Sequence, residues 1–274
     1  MAQESAKKRS RVPLGTMVRY GAILVGMCML LAGGISASEK LEQLLIRDPR
    51  FFLPGPIDYG QESPNLELHG VKYASRWRVL RVFDQDYGRS LFLFPLSERR
   101  RALREISWVS DASVVRVWPN RVVVNITERK PAAFVKLPAD GMTRWALIDE
   151  QGVILEPPLK APFRLPVLSG VQAGERIEDR ARRVRRMQQL MRDLGPLSDK
   201  VSEVDARDFD DLKIAEQIQG RAVTLLLGDR NFSARLKNFL DHYPDIRRKI
   251  PQTSTFDLRL DDRITGLEEP ASAR

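Results

Sequence analysis

The 274 residues hold two histidines and one cysteine, so the residue types that usually carry covalent chemistry are scarce. A Ser-His-Asp constellation needs a histidine, and neither His69, beside Gly70 at a strand end, nor His242, near a helix end, has a nucleophile motif near it. Glycine cradles of the GxxxxGK or GxGxxG type are absent, and Gly33-Gly34 falls in an apolar run. Cysteine and histidine are too few for a metal centre built on them. Asp205, Asp208, Asp210 and Asp211 lack the glycine and closing glutamate of a calcium loop and read as a solvated strand end. Asp149-Glu150, before Gln151-Gly152, reads as hairpin-turn chemistry. No catalytic residue, metal or cofactor is expected. The chemistry left is noncovalent recognition.

Two features offer it. Arg180, Arg182, Arg183, Arg185, Arg186 and Arg192 crowd the polar side of a predicted helix, an exposed face able to meet acidic lipids or an acidic partner. The closing stretch TFDLRLDDRITGLEEP reads as a terminal strand with no successor. Such a strand leaves one row of backbone groups unpaired unless charges such as Asp261, Asp262 and Arg263 blunt it, and a partner strand can add to that row.

The elements that must position these residues follow from patterning. Residues 1–19 carry Lys7, Lys8, Arg9, Arg11 and Arg19 against Glu4 alone, a predicted cytoplasmic tail. Tyr20 to Ala37 is free of charge, and a helix of that length spans roughly 27 Å, close to a bilayer's hydrocarbon core. The charge asymmetry predicts an N-terminus in the cytoplasm and the bulk outside. A cleaved signal peptide is the rival reading, since small residues end the run. The lone Cys28 lies inside the span, which suits an oxidising compartment for the rest. Overall charge is +9, with 43% apolar and 30% charged residues. That balance fits a packed fold, and the positive charge gathered before it gives weak support for nucleic-acid binding.

Beyond the span, residues 38–64 read as a short helix ending before Pro49 and a linker rich in proline and glycine. Residues 65–130 form a β-α-α-β-β unit. It holds a strand at Leu66 to Val71, a helix carrying Leu80, Phe83 and Tyr87 and closed by Gly88, and a second helix opening at Leu96-Ser97 with Ser97 as its cap. Two strands follow, joined at Trp118-Pro119-Asn120-Arg121, with Val122, Val124 and Ile126 on one face. Residues 131–267 read as a mostly antiparallel β domain with two flanking helices, and 268–274 as a disordered tail. One helix carries Ile177, Ala181, Val184, Met187, Met191 and Leu194 on its apolar stripe; the other carries Phe232, Leu236, Phe239, Leu240 and Tyr243. PPLKAPFRLPVLSG, with four prolines, is expected to be a traverse outside any ladder. The fold class is α+β.

The order Trp108-Val109, Ala112, Val114, Arg116, Trp118-Pro119, Val122, Val124, Glu128-Arg129 and Pro131-Ala132 resembles the POTRA signature of the FtsQ/DivIB cell-division proteins. Ser107 stands where the family usually has proline. WALIDEQGVI, LPVLSG and FDLRL are similar to phrases of the same family's β domain. The resemblance implies a non-enzymatic, single-pass inner-membrane scaffold at the division septum. In that family the C-terminal strand captures a segment of FtsB, within the FtsB–FtsL pair. It implies partner-binding roles for Asp257, Leu258 and Arg259, the last pairing with an acidic side chain, and for Arg263, Ile264, Thr265, Gly266 and Leu267. Leu267 replaces a frequent aromatic. Val114 and Arg116 would lie on a strand used for recruitment to the division machinery. A secreted POTRA module, or one serving outer-membrane assembly, is the alternative.

Overall fold

The structure is a computed structural model that describes residues 14–56, 62–139, 142–158 and 163–267. The predicted tail at 268–274 and most of the predicted cytoplasmic tail lie outside the described residues. The chain divides into two compact units. Met1–Glu67, Phe83–Leu96 and Val114–Val124 form the first, and Leu68–Val82, Ser97–Ser113 and Asn125–Arg274 the second.

In the first unit, one helix, α1 (Leu14–Arg47), replaces the expected span and separate short helix. No residue between Ala37 and Arg47 breaks it, and the Ser38 hydroxyl donates to Ile35 O at 2.7 Å, so the one residue able to compete with the ladder is satisfied inside it. At 34 residues α1 is about 51 Å long. It ends where Asp48 accepts from Arg50 N at 2.9 Å and opens a one-turn helix, Pro49–Phe51. The expected linker starts instead as packed chain: Leu53 is fully buried, its N–H donates to Arg89 O, and its carbonyl accepts from Gly88 N. Residues 57–61 of that stretch lie outside the described residues.

The β-α-α-β-β order is present, as β1 (Leu66–His69), α2 (Arg76–Arg81), α3 (Leu96–Arg104), β2 (Val109–Val117) and β3 (Arg121–Glu128). The three strands form one sheet in the order β1-β3-β2. Val122, Val124 and Ile126 are buried, as the alternation requires. The first helix is shorter than its periodicity predicts. Ser75 caps it, it ends at Arg81, and Phe83 and Tyr87 sit in the turns that follow, closed by Gly88 at φ +77°. Leu96 is already helical, so Ser97 is not the cap.

The second unit is built on a nine-stranded sheet. Its strands are β4 (Pro131–Ala139), β5 (Met142–Asp149), β6 (Ile154–Leu155), β7 (Val167–Ser169), β8 (Val201–Asp205), β9 (Leu212–Ile218), β10 (Arg221–Gly228), β11 (Thr255–Asp257) and β12 (Thr265–Leu267). The order is β12-β11-β10-β9-β8-β7-β4-β5-β6, antiparallel except at β10/β11, β4/β7 and β7/β8. α4 (Ile177–Leu194) and α5 (Phe232–Lys249) bury Val184, Met187, Leu190, Leu236 and Phe239 with Val135, Ile148, Leu168, Ile214 and Leu225 in one core. Ile177 is exposed, and Leu190 takes its place in the stripe.

The proline-rich traverse is a correction. Val167–Ser169 is a strand between β4 and β8, with Leu168 fully buried. Pro166 precedes the strand, so its missing N–H costs no ladder bond, and its carbonyl accepts from Phe134 N at 2.9 Å. The closing stretch is a second correction, since it forms two short strands. Asp257 accepts from Arg259 N at 3.0 Å and turns the chain, Leu258 is buried, and β12 forms after the loop 258–264.

Candidate docking edge

β12 pairs with β11 alone: Thr255 faces Leu267, Phe256 faces Gly266 and Asp257 faces Thr265. Among the described residues no strand lies along its other margin, so three residues of backbone stand at the end of the sheet. Thr265 and Gly266 are exposed and Leu267 is half-buried. Leu267 reaches a 430 Å³ groove shared with Thr255, Leu226, Thr224, Ala215 and Lys213. A side chain on Gly266 would meet Ile250 Cδ1 at 2.8 Å, so the strand passes closely over the chain that leaves α5.

The other predicted contact residues divide. β11 has a neighbour on each side, so Asp257 is interior to the sheet, and Leu258 belongs to the core. Arg259 already has two carboxylates of its own chain. Its Nε and Nη2 donate to Asp257 at 2.9 and 2.6 Å, and Nη1 donates to Asp211 at 3.3 Å. This guanidinium holds the Asp257 carboxyl below the usual carboxylate range. Arg263 is exposed with Asp262 at 3.5 Å, and Ile264 packs against the core.

Two residues of this edge escaped sequence reading. Arg235 sits one helical turn after Phe232 and is buried, which the stripe does not suggest. It donates to Leu227 O at 2.7 Å and to Asp261 at 2.8 Å, and that contact holds the Asp261 carboxyl low. Leu260 projects half-exposed beside a 280 Å³ cleft lined by Arg235, Asn238, Leu258 and Arg263. An apolar residue between Arg259 and Asp261 was the available signal. The loop between β11 and β12 is thus fastened by ion pairs at Arg259 and at Asp261 and offers one exposed apolar side chain, Leu260.

In the three-stranded sheet β2 is also marginal. Val114 is half-buried, and Arg116 is held inward, donating to Phe94 O at 2.6 Å. Val115 is an exposed apolar side chain of that strand, beside exposed Asp111 and Ser113.

The arginine face of α4 is largely committed to structure. Arg183 pairs with Glu175 at 2.8 Å and donates to the carbonyls of Ala206 and Arg207. Arg186 donates to Phe209 O at 2.8 Å, and Arg182 and Arg183 lie over the Phe209 ring. Asp205, at the end of β8, and Asp208 are turn chemistry, with Asp205 on Arg207 and Asp208 accepting from Asp210 N, while Asp211 holds Arg259. No cluster able to hold a metal exists among the described residues.

The POTRA signature has a structural meaning. One oxygen of Glu128 accepts from the N–H groups of Lys72, Tyr73 and Ala74 at 2.7–2.8 Å. Arg129 pairs at 2.8 Å with Asp149, which is buried and also accepts from Val153 N. Trp108 donates to Glu156 O at 2.8 Å. The family model described as the FtsQ-type POTRA domain matches residues 65–129, and that of the FtsQ/DivIB C-terminal domain matches residues 139–259.

The chain belongs to the FtsQ/DivIB family of cell-division proteins.

Similar curated proteins are each called cell division protein FtsQ. That of Koribacter versatilis is 34% identical over 74% of this chain and 59% of its own length. Those of Novosphingobium aromaticivorans and Coxiella burnetii are 29% and 30% identical, over 76% and 61% of this chain and 61% and 64% of theirs. The chain thus spans about three fifths of the length of the relatives it matches. The solved extracytoplasmic domain of the trans isomer of DivIB from Geobacillus stearothermophilus is 18% identical, covering 45% of this chain and 96% of its own, at a TM-score of 0.23. α1 is long and apolar enough to cross a membrane, which fits a single-pass member of the family.

Proposed function

We propose that this chain is a non-enzymatic, N-in membrane scaffold at the division septum that docks an extended segment of an FtsB-type partner, within an FtsB–FtsL pair, on the open margin of β12. The observation that supports it most is that Thr265–Leu267 closes a nine-stranded sheet with one side free among the described residues. Strand addition there takes affinity from main-chain hydrogen bonds and selectivity from the pockets beside the edge. Leu267 and Leu260 supply the apolar contacts. Arg259 keeps its side chain 45% exposed and can share its guanidinium with a partner carboxylate, although its own aspartates already hold it. Val114 and Arg116 on β2 are proposed as a second, recruiting edge.

A photo-crosslinking residue at Thr265 in the full-length chain, co-expressed with an FtsB–FtsL pair, tests the docking. Crosslinks to FtsB at this position, together with at least tenfold weaker capture by Leu267→Asp and an unchanged circular dichroism spectrum, are expected. Crosslinking to neither partner protein, with Leu267→Asp capturing FtsB as well as the parent chain does, refutes the reading.

A further inference from the structure

α1 does not leave the membrane on a loose tether. Its last turn is fastened to the first unit, because the Ser90 hydroxyl donates to Leu45 O at 2.5 Å and Phe52 bridges to Ser90. The uncharged run of α1 closes at Ser38, seven residues before Leu45, which is about 10 Å along a helix. The headgroup layer extends about 5–8 Å beyond the hydrocarbon on each side. Whatever packs around Leu45 therefore lies at the depth where headgroups end.

What packs there is apolar and exposed. Leu93 closes the one-turn helix Leu91–Leu93, which begins at Ser90, and is 58% exposed. Trp118 stands edge-on to Phe51, four residues past the end of α1, with ring centroids 5.7 Å apart, and is 48% exposed. Leu41 and Leu44 carry the apolar surface up α1 to meet them. Arg47 and Arg89 are exposed in the same unit and form no ion pair among the described residues.

We propose that this rim, Leu93 and Trp118 beside the exit of α1, rests against the outer margin of the headgroup layer of the bilayer that α1 crosses, with Arg47 and Arg89 reaching inward to lipid phosphates. Tryptophan and leucine at that depth lose water while the indole N–H keeps polar partners. The basic pair gains from anionic lipid. The inference rests on α1 as the membrane anchor and is independent of partner docking at β12.

The test places a spin label in the full-length protein in nanodiscs of phosphatidylcholine with about one quarter phosphatidylglycerol. The label sits either on native Cys28 or on Leu93→Cys in a Cys28→Ser background. For the Leu93 label, a water-soluble nickel relaxant should be excluded roughly twofold relative to free label in buffer, while oxygen access stays near the buffer value. The Cys28 label should read deeper still. A Leu93 label open to nickel, with Cys28 deep, overturns the rim proposal and leaves the anchor intact. Low access to both relaxants means that protein covers the rim, and also overturns it. A Cys28 label open to nickel sinks the anchor and the proposal together.

Discussion

Replacing Glu128 should unfasten one loop and leave the sheet standing. One carboxylate oxygen takes three N–H groups, those of Lys72, Tyr73 and Ala74. In Glu128→Ala the exposed Lys72 N–H turns to water at little cost, the half-buried Tyr73 N–H loses part of its partner's worth, and the buried Ala74 N–H is orphaned. An orphaned buried donor costs about 1–3 kcal/mol and a bond to a charged acceptor contributes about 1.5–3, so local opening becomes easier by about 2–3 kcal/mol in all. Hydrogen exchange of the full chain in nanodiscs should show residues 72–74 exchanging roughly 30- to 150-fold faster. Glu128→Gln keeps an acceptor without its charge and should give about 1 kcal/mol, near fivefold. Equal protection of 72–74 in parent and both variants would show that the oxygen does not hold the loop, and the reasoning would fail.

Glu216 lies on the core face of β9 with one carboxylate oxygen unpartnered, and burial raises its pKa. The folded chain then holds this proton more tightly than the unfolded one, so stability is full below the usual carboxylate range and falls as pH rises through the raised value. Glu216→Gln should raise stability by about 1 kcal/mol at pH 8 and by less at pH 5, read by thermal melts; equal gains would refute the assignment. Asp257 has the opposite sign. Its carboxyl is held low by Arg259, so the loop 258–264 keeps its fastening above the usual carboxylate range and should lose exchange protection as pH falls through the lowered value. Leu168→Ala, in the middle of the sheet, should cost about 2–5 kcal/mol in denaturant unfolding, against little for a residue of an unpaired traverse.

Elements with several repeats of one period were legible. Val122, Val124 and Ile126 alternate over a whole strand, and the α4 stripe repeats over five turns, so local pattern and burial agree. β7 was not legible, because three residues after a proline cannot display a period of two, and only β4 and β8, distant in sequence, make them a strand. The charged residues were the least legible of all. Arg259, Arg235 and Arg183 look alike as letters, and their different duties come from which carboxylates and carbonyls the sheet brings near. Glu128 was visible as part of a signature, yet its role lies in three amides more than fifty positions away.

The length of β12 constrains how any docking there must work. Three residues offer two or three outward main-chain bonds, worth about 1 kcal/mol each net of water. Micromolar binding needs about 8 kcal/mol, beyond the cost of ordering the partner. The remainder has to come from apolar burial at Leu267 and Leu260, each worth about 1.5–3 kcal/mol when fully covered. A partner that meets only the strand will therefore be weak, and one that also fills the groove beside Leu267 and covers Leu260 will be tight. Leu267→Asp should consequently weaken capture more than the loss of any one backbone bond along β12. Charges beside a short edge strand are a general means of disfavouring indiscriminate pairing. Arg259 and Asp261 on the neighbouring loop are paired within their own chain, so selectivity here rests on Leu267 and Leu260 and not on the loop's charges.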